Sequence, residues 1–258
     1  MTECYPVLRD SRRLAVILNW VGEHAKSAHK EHLRILDAGC GMGGISFPLA
    51  DLGHYVTGVD MDAESIAFCS AQNRFPNARF HAEDITQLSL NHKFDIIVCS
   101  ETLEHVAQPR LAIAALAKHL ADDGELIITV PNGWSLWELT VSRPVKRIGN
   151  QRPFYSIYKA LRRICSAAFC QGTPPMDSKA EWSPHVSFFS LAGLRRLLGQ
   201  CDLQVIECMN VSLITSSPFL RTIAWLAKME DSLSHLLPPP LSGGWFLRVV
   251  PGKAGEEL

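Results

Sequence analysis

Residues 36–44, LDAGCGMGG, place four glycines in nine positions directly behind an apolar run. Such a stretch is typical of a β-strand that ends in a tight turn and leads into a helix, because glycine tolerates positive φ and keeps the backbone bare. Two templates fit equally: Gly39, Gly41 and Gly44 form G-x-G-x-x-G, while Gly39, Gly41 and Gly43 form G-x-G-x-G. The feature therefore predicts an α/β fold that binds a ligand at this turn, without identifying the ligand.

The hydrophobic pattern around the turn supports that fold class. Short β-branched runs alternate with helical patterns from residue 33 to 130, which predicts a parallel sheet with crossover helices. Asp62 is a plausible N-cap, and Pro109 fits a first helical turn. We predict strands at 33–38, 55–60, 78–81, 94–99 and 125–130, and helices at 11–28, 44–52, 62–75 and 109–120.

The chain divides into four segments by pattern. An N-terminal helical segment covers 1–32 and a ligand-binding core covers 33–132. Residues 133–183 are aromatic, basic and punctuated by proline and glycine, which indicates an insertion that caps the ligand edge. Residues 184–258 return to the same domain. There we predict helices at 191–198 and 218–236 and strands at 203–209 and 245–250, the two strands pairing antiparallel.

Composition excludes several classes of protein. A net charge of −1 and a pI near 6.8 give no overall attraction to nucleic acid or to an anionic membrane. The eight cysteines form no C-x-x-C, and no signal-peptide pattern or run of eighteen apolar residues is present, so we expect free thiols in the cytoplasm. No histidine or carboxylate grouping has ligand spacing, so we expect no metal.

Asp37 discriminates between ligands. It precedes the first glycine by two positions, where the strand ends and the ligand begins. A carboxylate there repels a pyrophosphate at a cost of about 1 kcal/mol or more at roughly 4–6 Å, whereas it attracts a cation. S-adenosylmethionine carries a sulfonium and an ammonium against one carboxylate. Asp37 therefore favours that ligand over NAD.

Two later acidic residues extend the predicted site. Asp60 ends the second strand, where a carboxylate can accept hydrogen bonds from both ribose hydroxyls of either ligand. Asp84 follows the third strand and could accept from an adenine amine, with Ile85 and Met61 on the ring faces. An acidic residue that begins a helix is also often only a cap.

Several motifs together resemble a known family. ILDAGCGMGG, VTGVDMD, HAEDI, FDIIVCSETLEHV and GELIITVPN look like the successive motifs of class I S-adenosylmethionine-dependent methyltransferases, most like the small-molecule branch typified by ubiquinone-biosynthesis O-methyltransferases. The resemblance covers about 33–132, with a further likeness at 184–207. It implies a Rossmann-like, seven-stranded, mostly parallel sheet with helices on both faces, a helical cap and an antiparallel last strand.

The same resemblance assigns residues to parts of the cofactor. It implies that Asp37 and the 39–43 turn hold the methionine moiety, with Asp60 at the ribose, Asp84 at the adenine and Ser100 beside the sulfonium. The extra Gly44 departs from the motif and leaves the NAD alternative open. The implied cofactor contacts are Asp37, Gly39, Cys40, Gly41, Gly43, Asp60, Met61, Asp84, Ile85 and Ser100.

Methyl transfer needs alignment of nucleophile, methyl and sulfur, and a hydroxyl nucleophile also needs a base. His105, in SETLEHV, follows the fourth strand on the ligand side and is one candidate; Glu104 and His105 could equally brace the loop. His185, at the exit of the cap, is the other candidate, and a buried structural histidine is the alternative. O-methylation is the preferred reaction, with N- or C-methylation left open.

The cap carries an unusual charge. Between residues 139 and 176 no acidic residue occurs, and the aromatic Phe154, Tyr155 and Tyr158 interleave with the cations. An anionic aromatic or isoprenoid acceptor, a solvated helix face, or shallow docking of the basic 143–163 region on anionic lipid all fit. The cations are Arg143, Lys146, Arg147, Arg152, Lys159, Arg162 and Arg163.

Three functions compete at this point: a small-molecule methyltransferase, a nicotinamide-dependent oxidoreductase, and a cofactor-binding fold without catalysis. The fourth strand ends in Ser100-Glu101-Thr102-Leu103 rather than the Asn/Asp-Pro-Pro-aromatic stretch of enzymes that methylate base amino groups. DNA is therefore not expected as a substrate, although RNA stays open. The apolar stripe at 218–236 fits a core helix, an acceptor channel or a dimer contact, so a monomer or a homodimer is expected.

Overall fold

The apolar runs form the centre of a seven-stranded sheet in a computed structural model, which describes residues 11–132, 186–211 and 242–252. The strand order is β3-β2-β1-β4-β5-β7-β6. The strands from β1 to β5 run parallel, and β7 lies antiparallel between β5 and β6. The fold class and the antiparallel last strand predicted from the sequence are confirmed.

The element bounds are as follows. The helices are α1 (Ser11–Ser27), α2 (Ser46–Asp51), α3 (Ala63–Gln72), α4 (Pro109–His119) and α5 (Leu191–Gly199), with a 3₁₀ turn at Leu103–His105. The strands are β1 (Arg34–Ala38), β2 (Tyr55–Asp60), β3 (Ala78–Ala82), β4 (Phe94–Ser100), β5 (Leu120–Pro131), β6 (Leu203–Val211) and β7 (Gly244–Pro251).

Helices cover both faces of the sheet. On one face, Ile17 and Trp20 of α1 and Leu49 of α2 pack against the central strands; on the other face Ile113 of α4 and Leu194 of α5 do so. The central strands β1, β4 and β5 are buried on both sides, which explains why their sequences read as continuous apolar runs rather than as alternating ones.

Strand order reverses between β1 and β4, so the chain leaves these neighbouring strands in opposite directions. A crevice opens at the carboxyl ends of the strands at such a switch point, and ligands bind there in open α/β sheets. The glycine turn follows β1 and the SETLEHV stretch follows β4, so the topology brings both to this crevice.

Three predicted boundaries are wrong by a few residues. The glycine turn extends further than expected, so α2 begins at Ser46 instead of residue 44. Asn73 ends α3 early: its side-chain oxygen accepts from the Phe75 N–H at 3.0 Å. Strand β5 begins at Leu120, which pairs with Phe94 across an irregularity, rather than at residue 125.

Other local predictions hold. Asp62 caps α3 by accepting from the N–H groups of Glu64 and Ser65, at 3.4 and 3.2 Å. The N-terminal helix forms and joins the core rather than standing apart.

The cap at 133–183, the helix at 218–236 and His185 lie outside the described residues. Among the described helices, none combines the length and apolar character needed to cross a membrane.

Candidate active site

The turn after β1 adopts the conformation that its glycines permit. Gly39, Gly41 and Gly43 have φ of 82°, 50° and 80°, a region that favours glycine, and Gly44 is not among the positive-φ glycines. The turn thus follows the G-x-G-x-G template. At Gly39 a Cβ atom would overlap the side chain of Thr102, so only glycine lets the turn after β4 approach this closely.

Asp37 lies beneath the glycine turn, at the end of β1, and is 1% exposed. Its Oδ2 accepts a hydrogen bond of 2.6 Å from the Ser46 hydroxyl on α2. Burial raises the pKa of Asp37 to about 7, although the Ser46 hydrogen bond opposes the rise. The carboxyl is thus shielded from water, where the approach of a cation would favour its ionised form.

Asp60 holds the glycine turn from the end of β2. Its Oδ2 accepts from the Gly41 N–H at 2.8 Å and its Oδ1 accepts from the Asp62 N–H at 2.9 Å. Each carboxylate oxygen has a second lone pair, so Asp60 can still accept from a ligand hydroxyl. The predicted ribose contact is therefore next to the predicted methionine contact.

Two cysteines support the turn from below. The Cys69 thiol donates to the Gly41 carbonyl at 3.3 Å, and Cys40 is 7% exposed. Hydrogen bonding between the two thiols, together with burial, holds the pKa of Cys40 well above its usual value. Thiols with a raised pKa are poor nucleophiles. We therefore assign the Cys40 side chain a packing role, in addition to the predicted contact of its backbone with the cofactor.

The three residues predicted at the adenine differ in their surroundings. Asp84 is exposed, and it caps a turn rather than a helix by accepting from the Thr86 N–H at 2.8 Å. The alternative interpretation of Asp84 as a helix cap does not apply, because residues 83–93 connect β3 to β4 without a helix. Ile85 is 5% exposed in the core, and Met61 is 80% exposed at the edge.

The end of β4 is tied to both neighbouring strands. The hydroxyls of Ser100 and Thr129 lie 2.9 Å apart, and Thr129 also donates to Glu101 at 3.3 Å. Thr102 donates through its hydroxyl to the Ala38 carbonyl at 3.1 Å. The turn after β4 and the glycine turn therefore form one connected unit.

His105 and Glu104 share the 3₁₀ turn but differ in burial. The His105 side chain is 27% exposed and the Glu104 side chain is 2% exposed, with 4.0 Å between His105 Nε2 and Glu104 Oε1. The Glu104 carbonyl accepts from the N–H groups of Val186 and Ser187, at 2.8 and 3.0 Å. The turn thus also braces the loop, as the alternative interpretation predicted.

Arg13 lies beside the candidate site, a placement that the sequence did not reveal. It lies in the first turn of α1, 17% exposed, and its Nη1 is 3.7 Å from Glu101 Oε1. This contact brings a guanidinium to the carboxyl end of the sheet. Its only sequence signal is an arginine pair at the start of an amphipathic helix, which is too common a pattern to assign.

A family comparison identifies the domain that this geometry belongs to. A profile described as a methyltransferase domain matches residues 29–173, which is more than half of the chain. The chain belongs to the methyltransferase domain family. The match includes every element that forms the crevice from β1 to β5.

Curated relatives of this chain agree with that assignment. The ubiquinone biosynthesis O-methyltransferase of Bartonella quintana (strain Toulouse) is 37% identical over 125 residues, covering 43% of this chain and 47% of the relative. The corresponding protein of Rickettsia akari (strain Hartford) is 33% identical over 122 residues, covering 46% and 48%. The alignments span about half the length of these relatives.

Solved structures share the fold. Magnesium protoporphyrin IX methyltransferase from Synechocystis PCC 6803, solved with bound S-adenosylhomocysteine, superposes with a TM-score of 0.54 at 17% identity, covering 93% of this chain and 84% of that one. The family and the fold inferred from the sequence motifs are therefore confirmed.

Proposed function

We propose that this methyltransferase binds S-adenosylmethionine at the crevice between β1 and β4 and methylates a hydroxyl of a small organic molecule. The observation that carries the proposal is the buried Asp37 carboxyl beneath a bare glycine turn. Residues 37–46 contain no cationic side chain, so the turn favours a cation over a pyrophosphate.

The residues present fit the donor in chemical type. Asp37 and the backbone of Gly39, Cys40, Gly41 and Gly43 would hold the ammonium and the chain of the methionine moiety. The Arg13 guanidinium at the same edge would receive its carboxylate. When bound, S-adenosylmethionine supplies an electrophilic methyl group.

The remaining predicted contacts complete the binding site. Asp60 would accept from the ribose hydroxyls, Asp84 from the adenine amine, and Ile85 and Met61 would lie against the adenine. Ser100 ends β4 beside the turn, where its hydroxyl is held by Thr129.

His105 is the proposed base for the acceptor hydroxyl. Its imidazole is partly exposed on a turn that is fixed to the glycine turn through Thr102. His185 precedes the segment bound by the Glu104 carbonyl and stays the second candidate. The names of the relatives support a hydroxyl acceptor, and the basic 143–163 region supports an acceptor with an anionic group.

Two further proposals concern the setting of the reaction. The described cysteines, Cys40, Cys69, Cys99, Cys201 and Cys208, are unpaired, which supports a reducing cytoplasm. The basic 143–163 region supports peripheral contact with anionic lipid. Sedimentation with vesicles that contain about 30% anionic lipid tests this contact. Charge reversal at Arg162 and Arg163 should weaken it.

Calorimetry tests the cofactor assignment. S-adenosylhomocysteine should bind and NAD should not, and Asp60→Ala should weaken binding at least about tenfold because both the ribose contact and the hold on Gly41 are lost. Glu31→Gln, an exposed change elsewhere, serves as the control. Binding of NAD instead would overturn the proposed cofactor. Unchanged affinity in Asp60→Ala would show that the cofactor does not bind at Asp60.

A further inference from the structure

Glu104 is a costly residue for the fold. Its side chain is 2% exposed, and its Oε2 has no hydrogen-bond partner in the part of the chain that the structure describes. A buried carboxyl with an unpaired oxygen lowers stability, and a glutamine or an apolar side chain of similar size would remove the ionisable group. Such a group at the ligand edge therefore points to a role outside folding.

The charged and titratable groups around Glu104 come from three elements. Glu101 and His105 flank it on its own turn, Arg13 faces it from α1, and the Cys99 thiol lies on β4. Burial raises the pKa of Glu104 to about 9, the charge of Glu101 adds to the rise, and Arg13 opposes it. A new positive charge beside Glu104 would therefore draw it into the carboxylate form.

The Glu104 carboxyl is the buried neighbour of the His105 imidazole, with 4.0 Å between Oε1 and Nε2. Glu104 points into the core, whereas His105 reaches the edge. The turn between them is fixed, because the His105 N–H donates to the Thr102 carbonyl at 3.0 Å and the Glu104 carbonyl binds two N–H groups of the 186–187 segment. This arrangement, a partly exposed ring backed by a buried carboxyl, is the one that orients a histidine base.

We propose that Glu104 is the positioning residue of His105: it holds Nε2 toward the interior, turns Nδ1 toward the ligand edge, and balances the charge of the imidazolium. The inference rests on the proposed function. During transfer the O–H bond of the acceptor breaks and its electron pair forms the new O–CH₃ bond, while the S–CH₃ bond of the donor breaks and its electron pair stays on the sulfur of the leaving S-adenosylhomocysteine. The proton of the acceptor becomes the Nδ1–H of His105. That proton then passes to solvent, and Glu104 stays the counter-charge while the ring is cationic.

The carboxylate form of Glu104 is the effective partner, since only an anion stabilises the imidazolium. The reaction should therefore accelerate as Glu104 ionises. A neutral glutamine keeps the shape of the side chain but lacks the charge in every pH range, which separates the electrostatic role from packing.

Nuclear magnetic resonance of the free protein tests the pairing without any acceptor. We would titrate protein with ¹⁵N-labelled histidine from pH 5 to about 10, and identify the His105 ring by its loss in His105→Gln. The wild type should show a second change in the His105 ring shifts as Glu104 ionises; Glu104→Gln should lose it, and Glu31→Gln should keep it. Identical His105 titrations in wild type and Glu104→Gln would overturn the inference.

Initial rates test the consequence. With S-adenosylmethionine and 3,4-dihydroxybenzoate, an anionic aromatic probe with hydroxyl groups, kcat/KM of the wild type and Glu31→Gln should rise through about pH 9. Glu104→Gln should show a smaller rise, since the hydroxyls of the probe also ionise at alkaline pH, and should be at least about tenfold slower there, with the KM for S-adenosylmethionine within about twofold. If Glu104→Gln misfolds, Glu104→Met takes its place in the assay.

The outcomes separate the two proposals. A uniform loss of rate in Glu104→Gln, with an unchanged pH profile, indicates a structural residue and overturns the inference. Failure of the wild type to methylate the probe counts against the proposed acceptor, whereas failure to bind S-adenosylhomocysteine counts against the proposed function. In both cases the magnetic resonance titration still decides whether Glu104 and His105 act together.

Discussion

Two buried glutamates, one in β5 and one in the 3₁₀ turn after β4, have opposite environments. Glu125, in β5 and away from the ligand edge, receives two hydrogen bonds from Arg248, at 2.8 and 3.0 Å, and lies 3.1 Å from His24 Nδ1. Burial alone would raise its pKa, but the bonds from His24 and Arg248 outweigh it and lower the pKa to about 2. Glu104, at the ligand edge, has the opposite shift.

This difference separates a carboxylate that is matched within the fold from the carboxyl group to which we assign a function. The Glu125 network links β5 to β7 and, through Glu23, to α1, so its charges are matched within the fold. Glu104 has one oxygen without such a match among the described residues. The fold thus satisfies a buried charge where only stability is at stake and leaves one poorly satisfied beside the candidate base.

The largest expected effect comes from breaking the matched region. Arg248→Met should destabilise the protein by about 3–5 kcal/mol, because it leaves the buried Glu125 carboxylate without its guanidinium partner. Glu125 has a folded pKa below its unfolded value, so its stabilisation is present above about pH 4.5 and is lost as the pH falls toward 2. Urea denaturation at pH 3 and 7 measures both effects. If the Arg248→Met protein were as stable as the wild type at pH 7, the Glu125 network would not stabilise the fold and the contrast with Glu104 would fail.

Glu104 should affect the pH dependence of stability in the opposite direction to Glu125, and Glu104→Gln tests this. The folded pKa of Glu104 lies above its unfolded value, so its stabilisation is fully present below about pH 4.5 and is lost as the pH rises toward 9. The variant should therefore gain on the wild type with rising pH, by up to about 1.4 kcal/mol per pH unit. Denaturation at pH 5, 7 and 9 checks the trend. A stability difference that does not change with pH would place Glu104 in an ordinary polar environment.

The smallest effect on stability is expected from an exposed ion pair. Lys93 Nζ lies 2.7 Å from Asp122 Oδ1, and the two side chains are 55% and 97% exposed. Lys93→Met should leave the melting temperature unchanged, because solvent screens a pair of this kind. A clear loss of stability there would mean that surface charges matter more in this fold than burial implies.

Local chemistry explains what the sequence predicted well. The turn at Gly39, Gly41 and Gly43 and the cap at Asp62 depend on residues within a few positions of each other, so the sequence pattern contains the information. The alternation of strand and helix periods likewise predicted the parallel sheet with crossover helices.

Long-range packing explains what the sequence did not predict. The burial of Glu104, the contact of Arg13 with Glu101 and the early start of β5 opposite Phe94 all join residues brought together only by the sheet. The G-x-G-x-G and G-x-G-x-x-G templates likewise became distinguishable only through the backbone angles. The sequence located the Asp37 carboxyl, but its burial and its bond to Ser46 come from the packing of α2.

The central claim is that the buried Asp37 carboxyl selects a cationic methyl donor over a phosphorylated nucleotide. Calorimetry with S-adenosylmethionine and NAD, on wild type and Asp37→Asn between pH 6 and about 8.5, tests it directly. The account predicts that wild-type affinity for S-adenosylmethionine rises through about pH 7, that Asp37→Asn binds at least about tenfold more weakly at the upper end, and that NAD does not bind. Equal affinity of the two proteins for S-adenosylmethionine at every pH, or binding of NAD, would contradict it.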